Sequence, residues 1–325
     1  MKKIKYPKNW KETYWNIFTD SQKKELKNQW IKLHNKYNFL LYFSNNINHI
    51  ITGDFEFITD YFFLFNNIIS NISEETKENF FSDLSNLFNY DKYRDAIAKY
   101  FYTRITEMEI YSCFYCDIHT IGKYELEEDN SKIKEYRTFD VDHFFENAQC
   151  PLLALSLKNF VPSCQICNSR VKGKRDFFEF YGFNNNFTTD QIKTILLYIS
   201  PTSGVGIFDD NINIKVLPKI DFSKKIGFLE NIENYEIKIS SSNIYKHHID
   251  SFRLNERYNS ITILSEALSI MDLKLKYPLT KIKELKNQLT NIHISEEQIE
   301  EIIFRKKYDE NRHSNLLKLK KDLLD

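Results

Sequence analysis

The stretch that decides the fold begins with Cys113-Phe114-Tyr115-Cys116 and closes with Cys164-Gln165-Ile166-Cys167. Each pair places two thiols on a short turn, and two such pairs supply the four soft ligands of a closed tetrahedral zinc site. All 5 cysteines of the chain lie in this one stretch, a pattern typical of metal binding rather than of disulfides. The sequence therefore predicts a structural Zn²⁺ ion on four cysteines: Cys113, Cys116, Cys164 and Cys167.

Other residues near the two pairs leave alternatives open. His119 follows Cys116 closely and could replace one thiolate, although four thiolates suffice without it. Cys150, beside Pro151, is interpreted as a small buried apolar residue. The wide separation of the pairs is explained if the acidic insertion between them is a surface excursion; its acidic residues are Glu125, Glu127, Glu128 and Asp129. Coincidental burial or a redox pair is the alternative to metal binding. A four-ligand zinc site has no open position for a substrate, so catalytic groups must come from other residues.

Candidate catalytic residues lie between and after the cysteine pairs. Asp140-Val141-Asp142-His143 is followed by Asn159 and by Asn168. Phosphodiester hydrolysis needs a base for water, a divalent cation for the developing charge, and groups that hold both. A bend at a strand end can turn Asp142 toward a metal ion while His143 faces the attacking water. Each residue also has a structural alternative, because Asn159, for example, could simply cap a turn.

The ordered set Cys-x-x-Cys, Asp-His, Asn, Cys-x-x-Cys-Asn and Lys-Gly resembles the HNH endonuclease family of the ββα-metal fold over residues 111–178, about a fifth of the chain. The string at 140–143 is also similar to that of the HNH domain in RNA-guided CRISPR nucleases. The resemblance implies that His143 is the general base and that Asn159 orients its loop. It implies further that Asp142 and Asn168 hold one catalytic Mg²⁺ or Mn²⁺ ion.

Two positions in this pattern need separate comment. Asn168 stands where many members of the family have histidine, and an amide oxygen is a harder ligand that favours magnesium or manganese over catalytic zinc. Asp140 is either a carboxylate that supports the metal site or a polar strand residue. We keep both interpretations of Asp140.

A basic cluster follows Asn168 on the predicted helix; it comprises Arg170, Lys172, Lys174 and Arg175. Such a cluster is commonly a solvated helix face, but beside a metal site it can bind phosphates. We interpret it as a candidate phosphate-binding surface, with DNA favoured over RNA as the partner. Nothing in the cluster predicts a base-specific code.

The predicted fold class is α+β: a mainly helical chain with a central ββα-metal HNH module stapled by the four-cysteine zinc site. We place an N-terminal helical region at 1–105, the HNH module at 106–182 and a C-terminal α+β and helical region at 183–325. Apolar residues at helical spacing predict helices that start at Asp20-Ser21 and at Ser73, and a C-terminal helical pattern from Leu254 to Met271. Alternating residues predict strands within 136–144, 212–217 and 235–239.

The composition of the chain limits which partners and which cellular location we expect. The 45 basic residues balance the 45 acidic ones, so the whole chain offers no bulk attraction for nucleic acid. Lysines within residues 2–8 interrupt the apolar stretch that a secretory signal would need, so we expect a cytoplasmic protein. The most apolar run, at 61–65, is far shorter than the roughly 20 residues that span a bilayer, so we expect no membrane partner.

The segments 248–258 and 316–322 are similar to those of bacterial HNH proteins encoded with ATPases in anti-phage systems of the Septu and retron type. This resemblance implies an ATPase partner and a role in antiviral defence. The competing hypothesis is a zinc-stabilised nucleic-acid-binding or scaffold module that does not cleave.

Overall fold

The computed structural model describes residues 3–128, 132–202, 211–219, 232–289, 293–304 and 316–324. The chain divides into two compact units, Met1–Val205 and Gly206–Asp325. Helices predominate in the described ranges, with three two-stranded antiparallel sheets, which confirms the predicted α+β class. The division into three regions at 105 and 182 stays a prediction. Across these ranges, no helix is both long enough and apolar enough to cross a bilayer.

Helices open the first unit. They are α1 (Trp10–Trp15), α2 (Asp20–Lys36), α3 (Ile47–Ile51), α4 (Phe55–Ile69), α5 (Glu74–Leu87) and α6 (Tyr90–Tyr102). Both predicted helix starts are confirmed, because the side chains of Thr19 and Ser73 accept hydrogen bonds from the first turns of α2 and α5. The aromatic face of α4 packs on the later part of the unit, where Phe62 stacks on Phe145 with ring centroids 4.3 Å apart.

The first sheet is the hairpin of β1 (Lys123–Glu128) and β2 (Lys132–Arg137), paired from Lys123 opposite Arg137. Glu125 and Glu127 are exposed on β1, so this part of the acidic insertion is a surface excursion as predicted. Asp129 lies outside the described residues.

The second sheet pairs β3 (Asp140–His143) with β4 (Phe160–Ser163), and His143 lies opposite Phe160. The sequence pattern at 136–144 predicted one strand, whereas the structure divides it between β2 and β3. The cause is local: Thr138 exchanges hydrogen bonds with Gly122 at the base of the hairpin, and the chain bends there before β3 begins.

A π-helical turn, Ile166–Lys172, follows β4 directly and ends at Gly173, whose φ of +58° lies in the left-handed region that favours glycine. The unit then continues with α7 (Phe177–Phe180) and α8 (Thr189–Tyr198). The order strand, strand, helical turn therefore runs from Asp140 to Lys172: β3 and β4 lie between the two cysteine pairs, and the turn contains Cys167 and the first residues of the basic cluster.

The second unit combines β5 (Ile212–Pro218) and β6 (Tyr235–Ser241), as predicted, with α9 (Asn243–Ser251), α10 (Leu254–Tyr258), α11 (Ile261–Lys276), α12 (Leu279–Gln288), α13 (Glu296–Phe304) and α14 (Leu317–Leu324). The helical pattern from Leu254 to Met271 is interrupted between α10 and α11. The side chain of Asn259 bonds the main-chain N–H and C=O of Ile237 on β6, so this residue caps the sheet edge at the break.

Candidate metal and catalytic site

The four predicted cysteines form one buried cluster. Their Sγ atoms all lie within 4.8 Å of one another, and those of Cys116 and Cys164 are 4.0 Å apart. Tetrahedral zinc with Zn–S bonds of about 2.3 Å places its sulfurs about 3.8 Å apart. The cluster can therefore hold a metal such as zinc with little adjustment, and this part of the prediction is confirmed.

Main-chain hydrogen bonds shape both cysteine turns. Cys113 N–H donates to the carbonyl of His119 at 2.8 Å, and Cys167 N–H donates to Cys164 Sγ at 3.5 Å. Phe114 N–H donates to the carbonyl of Pro162 on β4 at 3.1 Å, which joins the first turn to the second sheet. His119 thus supports the site through its carbonyl, and the cluster itself consists of the four cysteines.

The electrostatics of the cluster favour a bound cation. Burial raises the pKa of the Cys113 thiol, whereas hydrogen bonds from the other three cysteines lower the pKa of Cys164. Metal binding needs thiolates, and a positive ion supplies the stabilisation that burial removes from four negative sulfurs. Cys150 is also buried, and burial raises the pKa of its thiol, which agrees with its interpretation as a small apolar residue.

Side chains alternate along β3, so Asp140 and Asp142 share one face while His143 lies on the other. Asn168, in the π-helical turn, donates from Nδ2 to Asp140 Oδ2 at 3.2 Å. The structure thus brings the predicted metal ligand Asn168 against Asp140, on the strand face that also carries the other predicted ligand, Asp142.

Asp142 is buried, and its carboxylate has two partners. Tyr115 donates its hydroxyl to Asp142 Oδ2 at 2.6 Å, and Lys172 Nζ lies 3.1 and 3.0 Å from the two carboxylate oxygens. Tyr115 lies between the cysteines of the first pair, so its side chain connects the cysteine cluster to Asp142. Sequence reasoning missed this role, although the tyrosine lies inside the Cys-Phe-Tyr-Cys motif.

The predicted phosphate-binding residues divide into two groups. Arg170, Lys174 and Arg175 are exposed, whereas Lys172 is only 3% exposed. The ammonium of Lys172 donates to the carbonyl of His143 and to Glu146 Oε2, the latter at 3.3 Å. Burial raises the pKa of Glu146, and the positive charge of Lys172 opposes this shift. Sequence reasoning also missed Glu146, which carries no motif of its own.

His143 is enclosed by aromatic rings. Its ring centroid lies 4.7 Å from that of Tyr90 and 4.8 Å from that of Phe160, and its Nε2 lies 3.0 Å from the carbonyl oxygen of Ala154. A carbonyl only accepts, so Nε2 carries the hydrogen of the neutral ring and Nδ1 keeps its lone pair. Burial lowers the pKa of His143 to about 4, with the Ala154 carbonyl and Asp142 opposing the shift. The imidazole is therefore neutral near pH 7 and, in this conformation, a weak base.

The side chain of Asn159 forms hydrogen bonds with the main chain of the segment between β3 and β4. Its side chain is fully buried; Oδ1 accepts from Phe145 N–H at 2.7 Å, while Nδ2 donates to the carbonyls of Phe145 and Leu153, both at 3.1 Å. Ala154, which holds the His143 ring, follows Leu153 directly. Asn159 thus bonds the segment that carries Ala154, the hydrogen-bond partner of the His143 ring, and its role in orienting the His143 loop stays a prediction.

Chemically, the arrangement combines a buried thiol cluster, a carboxylate-rich strand face and a neutral imidazole on the opposite face of the same strand. No family model matches the chain, and no curated protein and no solved structure matches it either. Function must accordingly be argued from the site itself.

Proposed function

We propose that the chain is a metal-dependent HNH-type endonuclease that hydrolyses phosphodiester bonds of DNA. The observation that carries the proposal is the adjacent pair Asp142 and His143 at the end of a short buried strand, with Asp142 tied to the cysteine cluster through Tyr115. The succession of β3, β4 and the helical turn with Asn168 supports the proposal, because this is the order that a ββα-metal module requires.

In this mechanism Asp142 and Asn168 would hold one Mg²⁺ or Mn²⁺ ion, and Asp140 would support them. When bound, the cation neutralises charge on the phosphate and on the leaving oxygen. His143 accepts the proton of the attacking water, and Asn159 keeps the His143 loop in place. The exposed cations Arg170, Lys174 and Arg175 contact backbone phosphates, a role that needs no base-specific geometry.

A second candidate function is a zinc-stabilised nucleic-acid-binding or scaffold module without cleavage activity. It is favoured by the enclosure of His143 and by the position of Lys172, whose ammonium already satisfies the carboxylate of Asp142. This candidate predicts that DNA binding, where it occurs, is unaffected by loss of the imidazole.

The proposed setting is the bacterial cytoplasm, with an ATPase partner in anti-phage defence. Its support is the resemblance of the C-terminal segments together with the balanced charge of the chain. A chain without net positive charge lacks most of the electrostatic attraction that normally gives non-specific DNA affinity. We therefore assign to the partner the task of bringing substrate to the site.

The deciding experiment measures Mg²⁺- and Mn²⁺-dependent nicking of supercoiled plasmid by the zinc-loaded full chain. His143→Ala should lower the rate by about 10²–10⁴-fold, the usual contribution of a general base. His49→Ala, at a histidine outside the site, is the matched control and should nick at the parental rate. Asp142→Ala should lose both nicking and Mn²⁺ affinity while its zinc content stays unchanged.

Zinc content and circular dichroism on the same preparations separate loss of chemistry from loss of fold. Full activity in a folded His143→Ala variant, or parental rates in Asp142→Ala, would contradict the nuclease assignment. Absence of nicking by the parent with its partner ATPase present would favour the binding module.

A further inference from the structure

A buried ammonium lies in a pocket of oxygen atoms. Lys172 Nζ is 3.1 and 3.0 Å from the carboxylate oxygens of Asp142, 3.3 Å from Glu146 Oε2, and also contacts the carbonyl oxygen of His143. Both Lys172 and Asp142 are almost fully buried, at 3% and 6% exposure. We call the Asp142 carboxylate, the Glu146 carboxylate and the His143 carbonyl the oxygen pocket.

The oxygen pocket holds more negative charge than the lysine supplies positive charge. Its two carboxylates face one ammonium, and four oxygen contacts compete for the three N–H groups of Lys172. Carboxylate and carbonyl oxygens are the ligands that hard divalent cations prefer. A divalent cation would balance both carboxylates, so the pocket has the composition of a divalent site with an ammonium at its centre.

We propose that Lys172 is an internal counter-ion that closes the oxygen pocket to the catalytic divalent cation, and that its departure opens a site in which Glu146 is an additional ligand. This role rests on the proposed function, since it takes Asp142 as a ligand of that cation. The ammonium and the divalent ion compete for the same carboxylate, and only one of them can occupy the pocket.

The backbone at Lys172 has a conformation that can change so that the side chain leaves the oxygen pocket. Lys172 is the last residue of the π-helical turn, and Gly173 follows in the left-handed region. A π turn contains one residue more than an α turn, and such turns are frequent at functional sites. Return of this turn to α geometry would re-aim Lys172. A substrate phosphate then offers the ammonium another anionic partner, so arrival of substrate and opening of the pocket are coupled.

The first test is Mn²⁺ binding, measured by electron paramagnetic resonance on the zinc-loaded full chain. Lys172→Met should bind one Mn²⁺ at least about tenfold more tightly than the parent, a difference of about 1.4 kcal/mol. Adding Glu146→Gln to that variant should abolish the gain. Lys24→Met, at an exposed lysine of α2 outside the site, is the matched control and should bind like the parent. A Lys172→Met variant with full zinc content and parental Mn²⁺ affinity would overturn the proposal.

The second test uses the unaltered protein, so it does not depend on the folding of a variant. Reductive methylation followed by mass spectrometry should leave Lys172 unmodified without Mn²⁺ and modify it when Mn²⁺ saturates the chain. Lys174 should be modified under both conditions. Protection of Lys172 that persists at saturating Mn²⁺ would show that the two cations do not compete.

Nicking of DNA is a separate readout, so the two proposals can fail independently. If Mn²⁺ binding follows the expected pattern but no preparation nicks DNA, the counter-ion role of Lys172 stands and the nuclease assignment fails. If Asp142→Ala abolishes nicking while Lys172→Met binds Mn²⁺ like the parent, the nuclease assignment stands and the counter-ion role fails.

Discussion

Replacing Asn159 with alanine should destabilise the first unit strongly, because the Asn159 side chain satisfies three buried main-chain groups. These are the N–H of Phe145, the carbonyl of Phe145 and the carbonyl of Leu153. The Leu153 carbonyl keeps a second partner, because it also accepts from Ser156 N–H at 3.1 Å. A buried polar group left without a partner costs about 1–3 kcal/mol, so loss of the two bonds to Phe145 should lower the free energy of unfolding by about 2–6 kcal/mol. That is a large share of the roughly 5–15 kcal/mol that stabilises a typical protein.

Urea unfolding followed by tryptophan fluorescence measures this loss directly, since all 3 tryptophans of the chain lie in the first unit. Asn185→Ala, in the exposed loop before α8, is the matched control and should change stability by no more than about 0.5 kcal/mol. Asn159→Asp keeps the acceptor for Phe145 N–H, but it places a buried carboxylate oxygen against two carbonyl oxygens, so it should cost at least as much as alanine. If Asn159→Ala lowers the free energy of unfolding by less than about 1 kcal/mol, the hydrogen bonds of Asn159 do not stabilise this segment as argued.

Three further predictions address the zinc cluster, its link to the carboxylate and a buried lysine. Cys164→Ser should reduce zinc content and solubility together, whereas Cys150→Ser should keep one zinc per chain, as measured by elemental analysis. Equal zinc content in the two variants would show that Cys164 is not a zinc ligand. Tyr115→Phe should keep zinc but lower the unfolding free energy by about 2 kcal/mol, because Asp142 loses a buried hydrogen bond. An unchanged urea midpoint would show that this hydrogen bond does not stabilise the fold. Burial lowers the pKa of Lys158 from 10.5 to about 7 in the folded protein. Between these two pH values the unfolded chain binds more protons than the folded protein, so the free energy of unfolding of the parent rises with pH. Lys158→Met has no such gain, so its free energy of unfolding relative to that of the parent should fall from pH 7 to pH 9, by up to about 1.4 kcal/mol per pH unit. If the difference in unfolding free energy between the variant and the parent does not change with pH, Lys158 is not a buried neutral amine.

Features with a local cause could be predicted from the sequence. The two cysteine pairs form short turns whose geometry is set within four residues, and their convergence follows from the coordination that one zinc ion requires. The starts of α2 and α5 are equally local, because Thr19 and Ser73 satisfy N–H groups three residues ahead. The helix starts needed only neighbouring residues, and the cysteine cluster needed only the number of ligands that zinc binds.

Features with a tertiary cause could not be predicted in this way. Lys172 belongs to a run of basic residues and has the same local signal as exposed Lys174. Lys172 is buried at the end of the π-helical turn, and neither composition nor helical spacing reveals that turn. Glu146 and Tyr115 likewise acquire their contacts from residues 26 and 27 positions away.

The cysteine cluster and the candidate catalytic face form one continuous piece of structure. Tyr115 links the first cysteine pair to Asp142, and the second pair begins the turn that ends at Lys172, the other partner of Asp142. Both cysteine pairs therefore hold groups that determine where the Asp142 carboxylate lies and which cation it faces. Because a closed metal site makes its surroundings rigid, a zinc ion held by the four cysteines would also fix the Asp142 carboxylate, to which we propose that the catalytic cation binds.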